Sequence, residues 1–311
     1  MEISNKPLLS ICIPTFNGGL RLQHTIDCIL EAKKGRPDVE IIVSDNCSND
    51  EITKSIIKVY EDKGLIIANY NETNLGFNGN ILRIIEGIAK GNYCWLLGDD
   101  DYIDQDAIDL LYPILNTEKP DYISLNIRVL SEEEYKNFLS PIKRPAELVK
   151  ASFFKCLDIN AAEGNILGTF MSTHVFRLES VLKVDRSEIR SNSWNTCASI
   201  FPNSYIMAKT FAKSDKCYCL MNQLLSAVKH PKNYSNKWEN VINIIFPELY
   251  QYYVSMSGNI TELKRNKSII EDLLVRSNCR KLKRGKIKDI DYKYLVPHRI
   301  LLSFIHHYSN K

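Results

Sequence analysis

The sequence predicts an α/β fold built on a mostly parallel sheet, and three observations carry that expectation. Short apolar runs alternate with helical patterns through residues 1–130, which is the rhythm of strand–helix–strand crossovers. Polar, glycine-containing loops follow the first, second and fourth of those runs. The composition, 44% hydrophobic and 25% charged, is that of a chain able to bury a core rather than stay disordered.

The run "LLSICI" reads as strand one, and Leu22, Ile26, Ile29 and Leu30 then fall on one face of a helix. "VEIIVS" is the second strand; Ser48-Asn49-Asp50-Glu51 after it fits a capping box, and Ile52, Ile56, Ile57 and Tyr60 continue that helix's inward face. "GLIIANY" reads as a third strand, with Ile81, Ile84, Ile85 and Ile88 marking the next helix. "YCWLL" is the fourth strand, where Trp95 is expected in the core. A helix through Ile108, Leu111 and Leu115 leads to "DYISLNIRVL", the fifth. From Ser131 to Tyr234 the rhythm breaks into polar helices and aromatic loops, and from Trp238 onward the pattern is helical. The expected organisation is a first half over residues 1–130, a second half of the same domain over 131–235, and a helical C-terminal extension over 236–311.

Composition removes several classes. A net charge of +3 does not call for nucleic acid. No G-x-G-x-x-G follows strand one and no G-x-x-x-x-G-K-[ST] occurs, against a dinucleotide fold and a P-loop NTPase. Nine cysteines without a C-x-x-C pair, of which only Cys217 and Cys219 stand close, read as reduced thiols in a cytoplasmic protein rather than as zinc ligands. The N-terminus "MEISNKPLLSICIPTF" has no basic lead and its apolar run is broken by Pro14, so no secretory leader is expected. No run approaches the ~18 apolar residues that span a bilayer.

The chemistry concentrates at loops. In open α/β sheets ligands bind beyond the carboxyl ends of the strands. Strand one ends in Pro14-Thr15-Phe16-Asn17-Gly18-Gly19, strand two in Ser44-Asp45-Asn46-Cys47-Ser48, and strand four in Gly98-Asp99-Asp100-Asp101. Three successive carboxylates repel one another, and a hard divalent cation such as Mg²⁺ or Mn²⁺ is the partner that oxygen ligands of this kind suit. The plainer alternative is a solvated turn capping the next helix.

"LLSICIPTFNGG", "VEIIVSDNCSND" and "NLGFNGNILRIIEGIAKGNYCWLLGDDD" together resemble, in order and spacing, the nucleotide-binding half of family-2 glycosyltransferases with the GT-A fold, in particular bacterial O-antigen and capsule enzymes of the abequosyltransferase-like kind. The likeness covers about the first 115 residues. It implies a metal-dependent, inverting transfer of a sugar from a nucleotide-diphosphate sugar, UDP being the usual one, to a lipid-linked surface glycan. It places Pro14, Thr15 and Asn17 at the nucleoside and Asp45 on its base. Asn74, Gly76 and Asn80 come near the ribose and diphosphate, and Asp99, Asp100 and Asp101 at the metal, with Asp99 and Asp101 the favoured ligands. Relatives often carry an Asp where this chain has Leu97. A late histidine on the metal and diphosphate would be His230.

A second departure concerns the general base. The Glu-Asp pair that inverting members place at the start of an acceptor-side helix aligns with Pro202-Asn203, where no carboxylate stands. Glu163, in the small-residue loop "AAEGNILG", is the first substitute, ahead of Asp158, His174, Asp185 and Glu188; His174 lies in an alternating segment and reads as structural. Trp194 suits stacking on a sugar. A non-catalytic sugar-nucleotide-binding or scaffolding subunit is the alternative that the missing pair suggests. The basic stretch from Lys264 to Lys288, followed by apolar residues interleaved with His298, Arg299, His306 and His307, suits either peripheral contact with the inner face of the membrane or packing back on the protein.

Overall fold

The computed structural model describes residues 6–162, 165–190, 196–228, 241–257 and 260–283. The first four strands form where the apolar runs stand: β1 (Leu9–Thr15), β2 (Val39–Asp45), β3 (Ile67–Tyr70) and β4 (Tyr93–Leu96). They are joined by α1 (Leu20–Lys33), α2 (Glu51–Asp62) and α3 (Gly76–Arg83), the last running into a π-helical turn at Ile84–Ile88. A three-residue strand β5 (Asp101–Ile103) then precedes α4 (Ala107–Thr117), β6 (Tyr122–Leu130) and α5 (Glu132–Lys136).

The second half is richer in strand than its sequence pattern suggests. It contributes β7 (Leu148–Lys150), β8 (His174–Arg177) and the twelve-residue β9 (Cys217–Val228), with α6 (Phe153–Ile159), α7 (Leu178–Leu182), α8 (Cys197–Ile200) and α9 (Pro202–Phe211) between them. Among the described residues nine strands make one sheet in the order β3-β2-β1-β4-β8-β6-β9-β5, with β7 beside β9. The strands β3, β2, β1 and β4 are mutually parallel; β8 enters antiparallel between β4 and β6, and β5 and β7 run antiparallel to β9. The sheet is therefore mixed, its parallel part confined to the first half and to the β6–β9 pair.

Helices cover both faces, so the central strands are buried throughout. Alternate residues of each strand serve opposite cores: Ile11, Ile13, Val43 and Trp95 pack with Leu22, Ile26, Ile57 and Leu111 on one side, and Cys12, Ile42 and Leu96 pack with Ile81, Ile85 and Phe176 on the other. Helices α10 (Phe246–Ser257) and α11 (Lys264–Lys283) complete the second core through Leu249, Tyr253, Ile270 and Leu274. Asn266 locks α11 in place, its backbone N–H donating to Asp158 at 2.9 Å and its side-chain oxygen accepting from the Leu167 N–H at 2.6 Å. The described part of the extension, which carries the basic stretch from Lys264 as far as Lys283, thus packs back on the domain, and residues 284–311 with His298, Arg299, His306 and His307 lie outside the described residues.

Two local expectations are corrected. The cap of α2 is Asp50, which accepts from the Thr53 N–H at 2.8 Å, because Ser48 is engaged with Asp45. Ile52 is 56% exposed rather than inward-facing, the inward position of that first turn being taken by its neighbour Thr53.

His174 is fully buried on β8. Its Nδ1 meets the Tyr122 hydroxyl at 2.7 Å and its Nε2 the Gly168 carbonyl at 2.6 Å. A carbonyl can only accept, so Nε2 carries the proton and Nδ1 accepts from Tyr122. Burial lowers the imidazole from 6.5 to about 4. As pH falls, the unfolded chain is protonated first, so this group's contribution to stability, about 3 kcal/mol in total, is lost between pH 6.5 and 4. Urea unfolding of the native protein and His174→Gln should show the native protein losing about 3 kcal/mol more than the variant from pH 7 to pH 4; parallel losses would mean the histidine titrates normally.

Candidate active site

Because β1, β2 and β4 are parallel neighbours, the chain leaves all three on the same edge. Thr15 ends β1 opposite Asp45 at the end of β2. The Thr15 hydroxyl donates to Asp99 Oδ2 at 2.6 Å, tying the acidic turn to the first-strand loop. A Cβ at Gly18 would stand 2.7 Å from both Asp99 Oδ2 and Thr15 Oγ1, so the close approach needs a glycine there.

Asp101 is held differently. It opens β5, pairs with Ala227 and is almost completely buried. Its Oδ2 accepts from the Ser172 hydroxyl at 2.5 Å, and that hydroxyl accepts from the Gly98 N–H at 2.9 Å. The Ser172 carbonyl accepts from Trp95 Nε1 at 2.8 Å, so a core indole fixes the serine that fixes the carboxylate. A Cβ on Gly98 would come within 2.5 Å of Asp101 Oδ2. Burial, then the neighbouring charge of Asp100, pushes the Asp101 carboxyl up to about 7, with the bond from Ser172 pulling the other way.

Around this turn opens a cleft of about 680 Å³. Pro14, Thr15 and Phe16 form one side and Asp99, Asp100 and Asp101 the floor. Asn46, Asn74, Gly76, Phe77 and Asn80 form a second side, and Thr169, Phe170, Met171, Ile200, Phe201, Asn203 and Val241 a third. The second side is set by carboxamides. Asn46 donates to Asn74 Oδ1 at 2.9 Å and to the Gly76 carbonyl at 3.2 Å, and accepts from the Leu75 N–H. Asn80 donates to the Ser44 carbonyl and accepts from the Ser44 hydroxyl and from Asn71. The bonds of Asn46 satisfy the backbone N–H of Leu75 and C=O of Gly76 at the start of α3.

The candidate residues are therefore partly assembled. Pro14, Thr15, Asn74, Gly76, Asn80 and Asp99 to Asp101 meet in the cleft. Asn17 does not line it: in left-handed conformation (φ 55°), its side-chain oxygen accepts from the Asn49 and Asp50 N–H groups, pinning two loops together. Asp45 also stands behind the wall, accepting from the Ser48 hydroxyl at 2.5 Å and the Ser48 N–H at 3.1 Å. Asp158 is taken up by Asn266 and Lys155. Asp185 and Glu188 lie away from the cleft beside Ser187, Tyr205 and Lys209, and His174 is the core residue described above. Glu163, His230 and Trp194 lie outside the described residues. Asn46, Phe77 and Ser172 were not singled out by sequence, a polar residue directly after a strand being the one available signal and only for Asn46; Asn203 was named only as the place where the family's carboxylate pair is missing.

A model of the family described as "Glycosyl transferase family 2" matches residues 10–182. The chain belongs to that family. Among curated relatives, the abequosyltransferase RfbV of Salmonella typhimurium is 35% identical over 118 residues, a match spanning 37% of this chain and 35% of that protein. Among solved structures, S. aureus TarS 1-349 in complex with UDP superposes with a TM-score of 0.57 at 16% identity, over 96% of this chain and 78% of that one. The mannosyltransferase PcManGT from Pyrobaculum calidifontis, in complex with GDP-Man and Mn²⁺, gives 0.57 at 12% identity over 98% and 81%. The architecture is the GT-A fold.

In this family-2 chain the acidic turn fits a divalent cation. It offers hard carboxylate oxygens, and the like-charge part of the upward pressure on Asp101, second to burial, is what a cation would relieve. Among the described residues no three His, Cys, Asp or Glu side chains form a group that could hold a metal ion on their own. A carboxyl raised from 3.8 to about 7 loses its stabilising contribution as pH rises through that interval, about 4 kcal/mol in all. Chelator-treated Asp101→Asn should therefore be more stable than the native protein at pH 8, by up to about 4 kcal/mol in urea melts, with the gain vanishing near pH 4. A variant less stable at pH 8 would show that the carboxylate is well solvated.

Proposed function

We propose that this protein transfers a sugar from a nucleotide-diphosphate sugar, UDP-linked in the first instance, to a hydroxyl of a lipid-linked surface polysaccharide, with inversion at the anomeric carbon. The observation that carries the reading is the Thr15–Asp99 bond at the meeting of the β1 and β4 loops, which aims an acidic turn into a cleft large enough for a nucleotide sugar. UDP in TarS and GDP-Man in PcManGT support the donor class, and the abequosyltransferase relative supports a sugar transfer. Residues 1–130 would hold the donor, 131–235 the acceptor, and 236–311 would buttress the acceptor wall. Among the described residues no helix is long and apolar enough to cross a membrane, so the lipid-linked acceptor would be met at a membrane surface.

Asp99, Asp100 and Asp101 would hold a Mn²⁺ or Mg²⁺ ion, which when bound neutralises the charge that develops on the departing diphosphate. The chain's own contribution is positional. Thr15 and Ser172 fix two carboxylates before substrate arrives, so no reorganisation is needed during transfer. The carboxamide shelf of Asn46, Asn74 and Asn80 faces the nucleoside and diphosphate, and Phe16 and Phe77, both more than 40% exposed, offer ring faces to the base. Asp45 would reach the base through a shift of Ser48. The acceptor oxygen attacks the anomeric carbon from the side opposite the diphosphate, held against the wall that carries Phe170, Phe201 and Asn203. Glu163 is the proposed base for its proton, and His230 the proposed late contact to the diphosphate.

One observation favours a second reading. Asn203, where the family usually has a carboxylate, is buried in the acceptor wall with its amide near the Gly168 and Thr169 carbonyls. A protein that binds the donor without transferring it would look the same here.

A thermal-shift panel of UDP, GDP, CDP and dTDP with and without Mn²⁺ separates the cases. Stabilisation by one nucleotide, about 2.7 kcal/mol at a hundred times its Kd, is expected only with metal, and Asp99→Asn should abolish it. Donor hydrolysis should accompany it and fall about 10²-fold or more in Asp99→Asn; binding without hydrolysis or transfer for any common donor sugar would favour the binding-only protein, and no nucleotide-dependent shift would reject both.

A further inference from the structure

A second cavity, of about 510 Å³, lies behind the acidic turn between α1, β5, α5 and the end of β9. Its wall holds an aromatic plate in which Tyr102 is buried and Tyr135 and His24 are the accessible rings. The rings of Tyr102 and Tyr135 stack with centroids 4.6 Å apart, and the His24 imidazole lies 4.4 Å from Tyr102. The Tyr135 hydroxyl and His24 Nε2 are 3.2 Å apart, which sets the plate's edge. Groups suited to hydroxyls line the same cavity: Glu31, which accepts from the Gln105 amide at 2.7 Å, with Ser140 and Ser226.

Each feature narrows the ligand. The volume is that of a small-molecule site. Burial pushes the Cys28 thiol in its wall up to about 11, so the cavity recognises rather than reacts. Asp104, also in the wall, is neutralised by Arg128 at 2.6 Å and Arg144 at 2.8 Å. Glu31 and Glu132 leave the rim acidic against Lys136 alone of the lysines and arginines, which disfavours a phosphate-bearing ligand. Aromatic faces beside carboxylate, carboxamide and hydroxyl groups suit a neutral ring with one apolar face and several hydroxyls.

The cavity is also continuous in sequence with the cleft. Asp101 has its carboxylate in the cleft and the next residue, Tyr102, walls the cavity. We propose that this cavity binds a pyranose unit of the acceptor glycan beyond the one that reacts. The inference rests on the transferase reading above, since only an oligosaccharide acceptor would need a site on the far side of the turn.

The test uses the full chain with UDP and Mn²⁺ saturating the cleft. Saturation-transfer-difference NMR is recorded with methyl β-D-glucopyranoside, methyl β-D-galactopyranoside and methyl α-L-rhamnopyranoside in turn. At least one should give signal with the cleft filled, and that signal should fall about five-fold or more in Tyr135→Ala and likewise in Glu31→Ala, whose side chain is solvent-exposed and whose loss leaves the fold intact. The UDP-dependent thermal shift should be the same in both variants. The proposal is overturned if none of the three glycosides gives signal with the cleft filled, or if Glu31→Ala leaves the signal unchanged. Loss of the UDP shift in the native protein would instead reject the donor reading, while the glycoside signal still judges the cavity.

Discussion

Consecutive carboxylates at the end of a fully buried strand are tolerable only if each is given a donor or a cation, and that constraint organises the rest of this molecule. Asp99 takes its donor from Thr15 at the end of β1, and Asp101 from Ser172, just before β8. Those two strands are the neighbours of β4 on either side. The order of the central sheet is thus what makes the acidic turn affordable. Gly18 and Gly98 are the steric complement, each leaving room for a carboxylate oxygen where a Cβ would collide. Burial first, and then the charge of Asp100, leave Asp101 with a raised affinity for a proton, and a bound cation would turn the second of these into affinity.

The second side of the cleft solves a different problem by related means. The loop after β2 and the start of α3 have no strand to pair with, so their N–H and C=O groups need side-chain partners. Asparagine supplies both a donor and an acceptor from one flat group; Asn46, Asn71 and Asn80 use both, and Asn74 accepts from Asn46 and from the Gly76 N–H. A network satisfied at each of these members rigidifies its surroundings. Under the proposed function, that rigidity would preset the width of the nucleotide site before the donor enters.

The first half of the fold was legible because its strands are short, apolar and separated by helices of clear period. The second half was not. β9 joins the buried run Cys217–Leu220 to Leu224–Ser226 through the exposed Gln223, and its pairing with β6 shifts register near Asn126, so the strand has no simple repeat to read. β5 has three residues, one of them an aspartate of the turn. In the site, the aspartates, Thr15 and the glycines could be found, since their types and spacing are unusual. Ser172 could not: it bonds to Asp101 71 residues away in sequence, and a lone serine carries no local sign of such a partner, whereas Asn203 was marked only through the family alignment. Asn17 and Asp45 were recognisable as loop residues, but their bonding to Asn49, Asp50 and Ser48 is a property of packing, not of order.

The third side of the cleft gives the asymmetry its meaning. Facing the carboxylates are Phe170, Met171, Ile200, Phe201 and Val241, an apolar surface with Asn203 set into it. Asn203 is not a free agent there, because the Gly168 carbonyl near its amide also accepts from Ser204 and His174. An apolar, rigid wall opposite fixed charges lowers the local dielectric, and electrostatic interactions strengthen in proportion. On the proposed reading, the driving force for transfer would come from the donor side, where charge develops on the diphosphate. The acceptor wall would then contribute orientation, which alone can replace a large part of an entropic barrier. A strong base at the position of Asn203 is not demanded by such a design, because the acceptor proton can leave late, after the bond to the diphosphate has largely broken.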